Sequence, residues 1–353
     1  MVADNAGTGK LNGIEAGRGV AASAVVLYHA ARHLNFNYGM KPLMSAFQFG
    51  HAGVDFFFVI SGFIILYVHY RDIGTPARLG HYIVRRFTRV MPTYWVALAL
   101  TVAMSVAAGH GLPSVDDVAW SASLLPANHD LLLGIAWTLR YEIAFYAIFC
   151  VLILNRATGL LVLSVWFGAT IAALATGGRV AGVPDSLYGV FNMEFFFGMA
   201  VAYIVRTRRV PAPKALLILG IALFLLVAAA EDVGILDGYA DAARFYYGIP
   251  AALIVLGIAE LGRRGEMVVS PLFRMLGLAS YSIYLFQFVF IGSVWQLWLT
   301  LGLDQRTPYA SSYPFLAAAA IAGGILMSRW VENPLIRLAR GQGLNVKPRA
   351  AIG

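Results

Sequence analysis

The first apolar segment of the chain carries an arginine and a histidine whose spacing puts them on one helical face. Arg18 and His29 stand eleven positions apart in GRGVAASAVVLYH. At about 100° per residue, eleven steps return a helix to within about 20° of its starting direction, with a rise of about 16 Å. That rise is roughly half the hydrocarbon thickness of a bilayer. A histidine at membrane depth is a functional candidate, although packing against a polar neighbour explains these two residues alone equally well.

Two further apolar segments each carry a carboxylate. Asp55 lies in GVDFFFVISGF, where the small pair Ser61 and Gly62 would let another helix or a ligand approach the backbone. Glu142 follows Arg140 in WTLRYEIAFY, and a salt bridge between the two is the structural alternative. A carboxylate inside an apolar segment needs a hydrogen-bonding or charged partner. Both carboxylates are therefore candidates for a polar site inside the membrane.

A basic cluster stands at the start of the third apolar segment. Arg85, Arg86 and Arg89 fall within about one and a half helical turns, and their forked donors match phosphate groups. The ordinary alternative is a basic flank that contacts lipid phosphates. In the topology given below, Arg18 lies at the same membrane level. The four arginines together predict an anion site at the foot of the stripe that leads to His29.

Composition indicates a membrane protein. The chain is 59% hydrophobic and 12% charged, against roughly 25% charged for an ordinary soluble domain. Membrane topology explains the net charge of +8 better than nucleic-acid binding does. The single Cys150 excludes an intramolecular disulfide. We expect no metal site and no tightly bound cofactor.

The apolar segments predict an all-α transmembrane bundle of about ten spans. The predicted spans are 14–34, 49–69, 90–109, 135–154, 158–177, 187–205, 215–230, 243–261, 277–301 and 312–331. Ten crossings put both termini on one side, which then holds 20 of the 26 Lys and Arg residues. This bias predicts cytoplasmic termini. We expect one membrane domain over 1–338 and a basic cytoplasmic tail over 339–353.

Later segments add polar and aromatic residues at membrane depth: Trp137, Glu194, Tyr281, Tyr284, Gln287 and Glu332. For Glu332, pairing with Arg329 or Arg337 is the structural alternative. In order and spacing, the segments resemble the acyltransferase-3 family of bacterial integral membrane O-acyltransferases, closest to its exopolysaccharide type. The blocks that carry the resemblance are 18–29, 53–63, 85–94, 137–146, and 281–285 with the closing VENP at 331–334.

The resemblance implies an activity, a donor and a location. Such proteins move an acyl group, usually acetyl, from cytoplasmic acyl-CoA to a hydroxyl of a glycan or lipid-linked sugar. They are multi-pass proteins of the bacterial inner membrane, in contact with membrane lipid. Acetyl-CoA would be a donor substrate, with phosphates held by Arg18, Arg85, Arg86 and Arg89. No nucleic-acid partner is implied.

The resemblance makes His29 the catalytic residue. Neutral imidazole would take the proton of an acceptor hydroxyl as that hydroxyl attacks the thioester. An acyl-histidine intermediate stays open. Glu142 is the first candidate for orienting the imidazole, as acids do in triads, and Asp55 is the second. Glu332 would organise the arginine cluster, and the remaining candidates for structure or acceptor binding are Ser61, Trp137, Tyr281, Tyr284 and Gln287.

The ninth span of this chain departs from many relatives at one position. Many relatives carry a histidine after the Tyr-Leu of the ninth span, where this chain has Phe286 and Gln287. A glutamine cannot take up a proton at neutral pH, so a different acceptor is expected for this protein if that histidine serves acceptor binding in relatives. A transporter of a small anionic or acylated solute also places polar residues at membrane depth, but no pair of interrupted helices favours it. A noncatalytic scaffold for glycan assembly is the third possibility.

Overall fold

The computed structural model describes residues 11–177 and 182–341, and within these ranges the chain forms helices and no β-strand. The α-helices are α1 (Asn12–Tyr38), α2 (Lys41–Phe47), α3 (Gly53–His69), α4 (Leu79–Ala107), α5 (Val115–Ser123), α6 (Trp137–Leu154), α7 (Arg156–Thr176), α8 (Asp185–Tyr188), α9 (Asn192–Thr207), α10 (Pro213–Asp232), α11 (Ala243–Arg264), α12 (Pro271–Thr300), α13 (Tyr313–Met327) and α14 (Asn333–Ala339). A π-helical turn over Ser328–Glu332 joins α13 to α14. The all-α prediction is confirmed.

Nine helical segments in the described ranges are long and apolar enough to cross a membrane. They correspond to the second to tenth predicted spans. Helix α1 is more polar, but its 27 residues extend about 40 Å. It runs parallel to the membrane-spanning α12, because Gly19 lies against Gly277 and His29 contacts Gln287 at the same offset of 258 positions. Helix α1, the first predicted span, therefore crosses beside α12 and brings the number of crossings to ten.

The direction of helix α9 relative to α3 supports the same topology. Val59 lies against Gly198, and Arg206 Nη1 donates to the Tyr67 carbonyl oxygen at 2.5 Å. Both contacts join residues 139 positions apart, so α3 and α9 run parallel. Parallel packing is what ten alternating crossings require of the second and sixth spans.

Small residues allow the helices of the interior to approach closely. A Cβ atom on Gly62 would collide with the main-chain oxygen of Phe195, and one on Gly198 with the main-chain oxygen of Val59. Only glycine permits this contact between α3 and α9. The expectation that a helix approaches the Ser61–Gly62 pair is confirmed at Gly62.

Burial divides the bundle into an interior and a rim. In α7 and α10, 17% of the apolar window is buried, against 61% in α11 and α12. Helices α7 and α10 therefore form the rim that faces lipid. Helices α1, α3 and α12 meet in the interior, where they position the polar residues.

Some predictions fall on residues that the structure does not describe. Residues 1–10, 178–181 and 342–353 lie outside the described ranges, and Lys10, Arg179, Lys347 and Arg349 of the charge count lie among them. Most of the expected tail over 339–353 lies there too. The boundary between membrane domain and tail stays a prediction, as does the cytoplasmic side of the termini.

Candidate functional site

Three adjoining cavities follow one another from the end of the bundle at which α1 begins. The entrance cavity, about 530 Å³, has a lining that includes Glu15, Arg18, Arg89, Arg274 and Arg329. The central cavity, about 100 Å³, shares Arg18 and Arg89 with it. The His29 cavity, about 190 Å³, shares Val54 and Tyr284 with the central cavity. The row therefore leads from arginines at one end to His29 at the other.

Helical geometry decides which arginines of the predicted cluster face this row. Arg86 and Arg89 are three positions apart on α4, so they share a face, and both line the central cavity. Arg85 is turned about 100° from Arg86 and lines none of the three cavities. The structure thus separates Arg85 from Arg86 and Arg89, and its part in the anion site stays a prediction. The guanidinium of Arg18 has no hydrogen-bonded partner among the described residues.

Arg89 is held by a buried carboxylate from the far end of the chain. Its Nη1 donates to Oε1 of Glu332, while Ser282 Oγ donates to Oε2 of the same carboxylate at 2.6 Å. Glu332 closes the π-helical turn, a distortion frequently found at functional sites. The expected contact between Glu332 and the arginine cluster is present, and its partner there is Arg89.

Arg86 has a partner that the sequence did not reveal. Its Nη2 donates to His69 Nε2 at 3.2 Å, and His69 Nδ1 lies 2.7 Å from Asp72 Oδ2. Because Nε2 accepts from Arg86, the proton of the neutral imidazole sits on Nδ1 and is donated to Asp72. This chain of contacts fixes the guanidinium of Arg86 between the rings of Tyr82 and Tyr146.

Glu142 belongs to the central cavity. Its Oε1 accepts hydrogen bonds from the Ser61 hydroxyl at 3.2 Å and from the Tyr146 hydroxyl. The expected contact of Glu142 with His29 does not occur in the described part of the chain. Depth along a helix does not fix the direction of a side chain, and α6 turns Glu142 towards α3.

Gln287 on α12 is the residue that holds His29. Its Oε1 lies 2.9 Å from His29 Nδ1, while its Nε2 donates to the Tyr284 carbonyl oxygen at 2.8 Å. The bond to Tyr284 orients the amide, so that only its oxygen can face the imidazole. An amide oxygen only accepts, which puts the imidazole proton on Nδ1. His29 Nε2 is then the nitrogen whose lone pair can take a proton.

Asp55, the second candidate for orienting His29, is occupied elsewhere. Both of its oxygens lie 2.7 Å from Nη1 of Arg244 on α11, and Arg244 also donates to the Gly238 carbonyl oxygen. Asp55 is fully buried, so it needs this cation. Its predicted role beside the imidazole is corrected to a partner of Arg244, whose side chain lines the His29 cavity.

The wall of the His29 cavity contains a second histidine, His51. Its Nε2 lies 2.9 Å from Oε1 of the buried Glu231, which also accepts from the Tyr247 hydroxyl at 2.5 Å. Tyr239 stacks on His51 with ring centroids 4.8 Å apart, and its hydroxyl lies 2.7 Å from that of Tyr28. Burial raises the pKa of the Tyr239 phenol above its ordinary value, so this hydroxyl keeps its proton.

The predicted aromatic candidates divide between the cavities. Tyr281 lines the central cavity and donates to the Val90 carbonyl oxygen at 2.9 Å. Tyr284 stands between the central and His29 cavities, and its hydroxyl lies 3.0 Å from Thr138 Oγ1. Trp137 lines the His29 cavity.

These features define a class: a polytopic helical membrane protein with a row of cavities that has arginines at one end and a histidine at the other. The acyltransferase-3 family, an acyltransferase domain, matches residues 11–329. The chain therefore belongs to this family and is a membrane acyltransferase. It is 31% identical over 334 residues to the exopolysaccharide production protein ExoZ of Rhizobium meliloti (strain 1021), covering 90% of this chain and 96% of that protein. No solved structure matches the chain.

Proposed function

We propose that the protein transfers an acetyl group from cytoplasmic acetyl-CoA to a hydroxyl of a glycan or lipid-linked sugar, such as an exopolysaccharide precursor, in the bacterial inner membrane. The observation that carries this proposal is the row of three cavities with arginines at one end and His29 at the other. The positive-inside rule puts the arginine end in the cytoplasm, where acyl-CoA is found.

The donor would bind by its phosphates at the entrance. Arg18 and Arg89 line both the entrance and the central cavity, and Arg274 and Arg329 add two exposed cations to the entrance. Arginine forks bind phosphate oxygens in pairs, which suits the diphosphate and the 3′-phosphate of coenzyme A. The pantetheine arm would then follow the central cavity. The rise of about 16 Å from Arg18 to His29 is within the reach of such an arm.

His29 would serve as the general base at the end of this path. Its Nε2 takes the proton of the acceptor hydroxyl as the oxygen forms a bond to the thioester carbonyl carbon. The carbon–sulfur bond then breaks, and the imidazolium returns the proton to the leaving thiolate, giving coenzyme A as the thiol. Gln287 would keep Nδ1 protonated throughout, so that Nε2 is the nitrogen that gains the proton and returns it. An acyl-histidine on Nε2 is the two-step form of the same transfer.

Two observations support a glycan as the acceptor: the name of the relative and the lining of the His29 cavity. That relative is an exopolysaccharide production protein. Trp137, Tyr28 and Tyr239 line the cavity and provide aromatic faces of the kind on which sugar rings pack, while Arg32 and His51 provide polar atoms.

The first test needs no acceptor. We expect acetyl-CoA to raise the thermal stability of the detergent-purified protein in a saturable way, since a ligand at about 100 times its Kd adds roughly 2.7 kcal/mol to the folded state. Arg18→Gln should weaken this effect strongly. Arg85→Gln is the matched control, because Arg85 belongs to the predicted cluster but lines none of the cavities. No stabilisation of a folded preparation at millimolar acetyl-CoA would refute the proposed donor.

A further inference from the structure

Arg32 stands apart from the other basic side chains of the His29 cavity, because it contacts no carboxylate within residues 11–177 and 182–341. Arg244 is paired with Asp55 at 2.7 Å, and His51 is paired with Glu231 at 2.9 Å. Arg32 is three positions after His29 on α1, so it lies on the same face, about 4.5 Å further along the axis. Arg32 is therefore an exposed arginine of the cavity lining that no carboxylate of the described residues neutralises.

The exposed side chain of Arg32 contacts the cavity wall through Tyr28. Its Nη1 donates to the Tyr28 hydroxyl at 3.2 Å, and its guanidinium carbon lies 6.0 Å from the centroid of the Tyr28 ring. The Tyr28 hydroxyl is itself bonded to that of Tyr239, which stacks on His51. One of the five guanidinium N–H groups is thus used to hold Arg32 in place, and the others are available for a ligand.

Membrane topology gives no reason for an arginine at this end of α1. Of the 26 Lys and Arg residues, Arg32 is among the six on the side that the positive-inside rule disfavours. It also lies at the opposite end of the passage from Arg18 and Arg89, so it is separate from the site proposed for the coenzyme A phosphates.

We infer that Arg32 binds an oxyanion on the acceptor, so that the protein acylates an acidic saccharide, with a carboxylate or phosphate beside the accepting hydroxyl. This inference rests on the proposed function, because it presumes that the acceptor enters the His29 cavity. A carboxylate would come from an acidic sugar, and a phosphate from the linkage of a lipid-bound sugar. Either would form a charge-assisted pair with the planar guanidinium.

The test compares the binding of three probes to protein in phosphatidylcholine nanodiscs. The probes are an oligosaccharide that contains glucuronic acid, the same oligosaccharide with its carboxylates reduced to alcohols, and a disaccharide linked through pyrophosphate to a short polyprenyl chain. We expect the wild type to bind one of the two charged probes about ten- to hundredfold more tightly than the neutral one. The charged probe that binds identifies the source of the oxyanion.

Variants of Arg32 decide whether this preference depends on the guanidinium. Arg32→Gln should abolish the preference without changing the affinity for the neutral probe, and Arg32→Lys should retain part of it. Arg306→Gln is the control, because Arg306 is exposed and lines none of the three cavities. Equal binding of charged and neutral probes by the wild type, binding of none, or a preference that survives Arg32→Gln would overturn the inference.

Two further measurements distinguish acceptor binding by Arg32 from lipid binding, and test the proposed donor separately. If phosphatidylglycerol in the nanodisc stabilises the wild type but not Arg32→Gln, with no preference among the probes, Arg32 contacts a lipid headgroup and the inference fails. Acetyl-CoA stabilisation should be the same in the wild type and Arg32→Gln. Its absence from the wild type would refute the proposed donor, while the preference for charged probes would still be measured independently.

Discussion

The two ends of the row of cavities differ in how many of their arginines are paired with a carboxylate. The entrance and central cavities are lined by five arginines, of which only Arg89 forms a salt bridge to a carboxylate, Glu332, among the described residues. In the His29 cavity, Arg244 is neutralised by Asp55, and His51 is paired with Glu231. Arginines without a carboxylate partner are available to an anion, whereas Arg244 is held in place by the buried Asp55.

This difference indicates that one end of the row of cavities suits donor binding and the other suits proton transfer. A phosphate-bearing donor gains most from arginines that no internal carboxylate neutralises. Proton transfer from a neutral hydroxyl to a neutral imidazole instead needs fixed dipoles and a defined tautomer, which Gln287 provides for His29. Arg32 is the exception at the His29 end, and the acidic acceptor inferred above would account for it.

The largest effect on the rate of acetyl transfer is expected from replacing His29, the proposed base. His29→Gln should lower the rate of acetyl transfer by about 10²- to 10⁴-fold, because glutamine cannot accept a proton at Nε2. The thermal stabilisation by acetyl-CoA should stay, since Arg18 and Arg89 are unchanged. Transfer assays and melting curves on the same preparation check both parts. Near-normal transfer by a folded His29→Gln protein would exclude His29 as the base.

At the charged end, the largest effect is expected from Glu332. Glu332→Gln should lower the free energy of unfolding by about 3–5 kcal/mol, because it leaves Arg89 without its buried anion. Melting curves measure the loss. The double variant Arg89→Gln, Glu332→Gln should recover part of the stability while binding acetyl-CoA weakly. Equal stability of the wild type and Glu332→Gln would mean that the pair holds nothing in place.

Gln287 offers a smaller and more specific test. Gln287→Leu leaves the Nδ1–H of His29 without an acceptor, at a cost of about 1–3 kcal/mol in the transition state. The kcat for acetyl transfer should fall by about ten- to hundredfold, with the KM for acetyl-CoA unchanged. Gln296→Leu is the matched control on the same helix, since Gln296 is exposed. A purely structural role would lower stability without altering the kcat of the folded fraction.

The smallest effect is expected at the exposed rim of the entrance. Arg274→Gln should raise the KM for acetyl-CoA by about two- to fivefold, because an exposed charge pair is weak. The KM for S-acetyl-pantetheine, which lacks the nucleotide phosphates, should not change. Steady-state kinetics with both donors measures the difference. An equal rise for both donors would show that Arg274 acts on something other than phosphate.

The fold follows from the sequence more fully than the site does. Apolar segments of about 20 residues and the bias of Lys and Arg predict the spans, and the parallel packing of α1 with α12 agrees with ten crossings. The helical period also places Arg18 and His29 on the same face of α1. These are local properties, readable from a single segment.

The neighbours of His29 are not local, and the predictions failed there. Glu142 and Asp55 have suitable chemistry, but their direction depends on which helix lies beside them, and Ser61 and Arg244 are their partners. The sequence marks Gln287 as a departure from relatives and as a candidate for structure or acceptor binding, but not as the partner of His29. Its spacing of three from Tyr284 suits a shared helical face, yet no sequence pattern joins α12 to α1 across 258 positions. The contact between His51 and Glu231, which are 180 positions apart, cannot be predicted from the sequence for the same reason.

The central claim is that the donor enters at the arginine end, which topology assigns to the cytoplasm, and that His29 is reached from there. Sealed membrane vesicles of both orientations, loaded with the same glycan acceptor on both sides and given labelled acetyl-CoA outside, test it most directly. We predict label transfer to the glycan in inside-out vesicles, little in right-side-out vesicles, and equal rates after detergent. Faster transfer in right-side-out vesicles, or equal rates in both intact forms, would contradict the account.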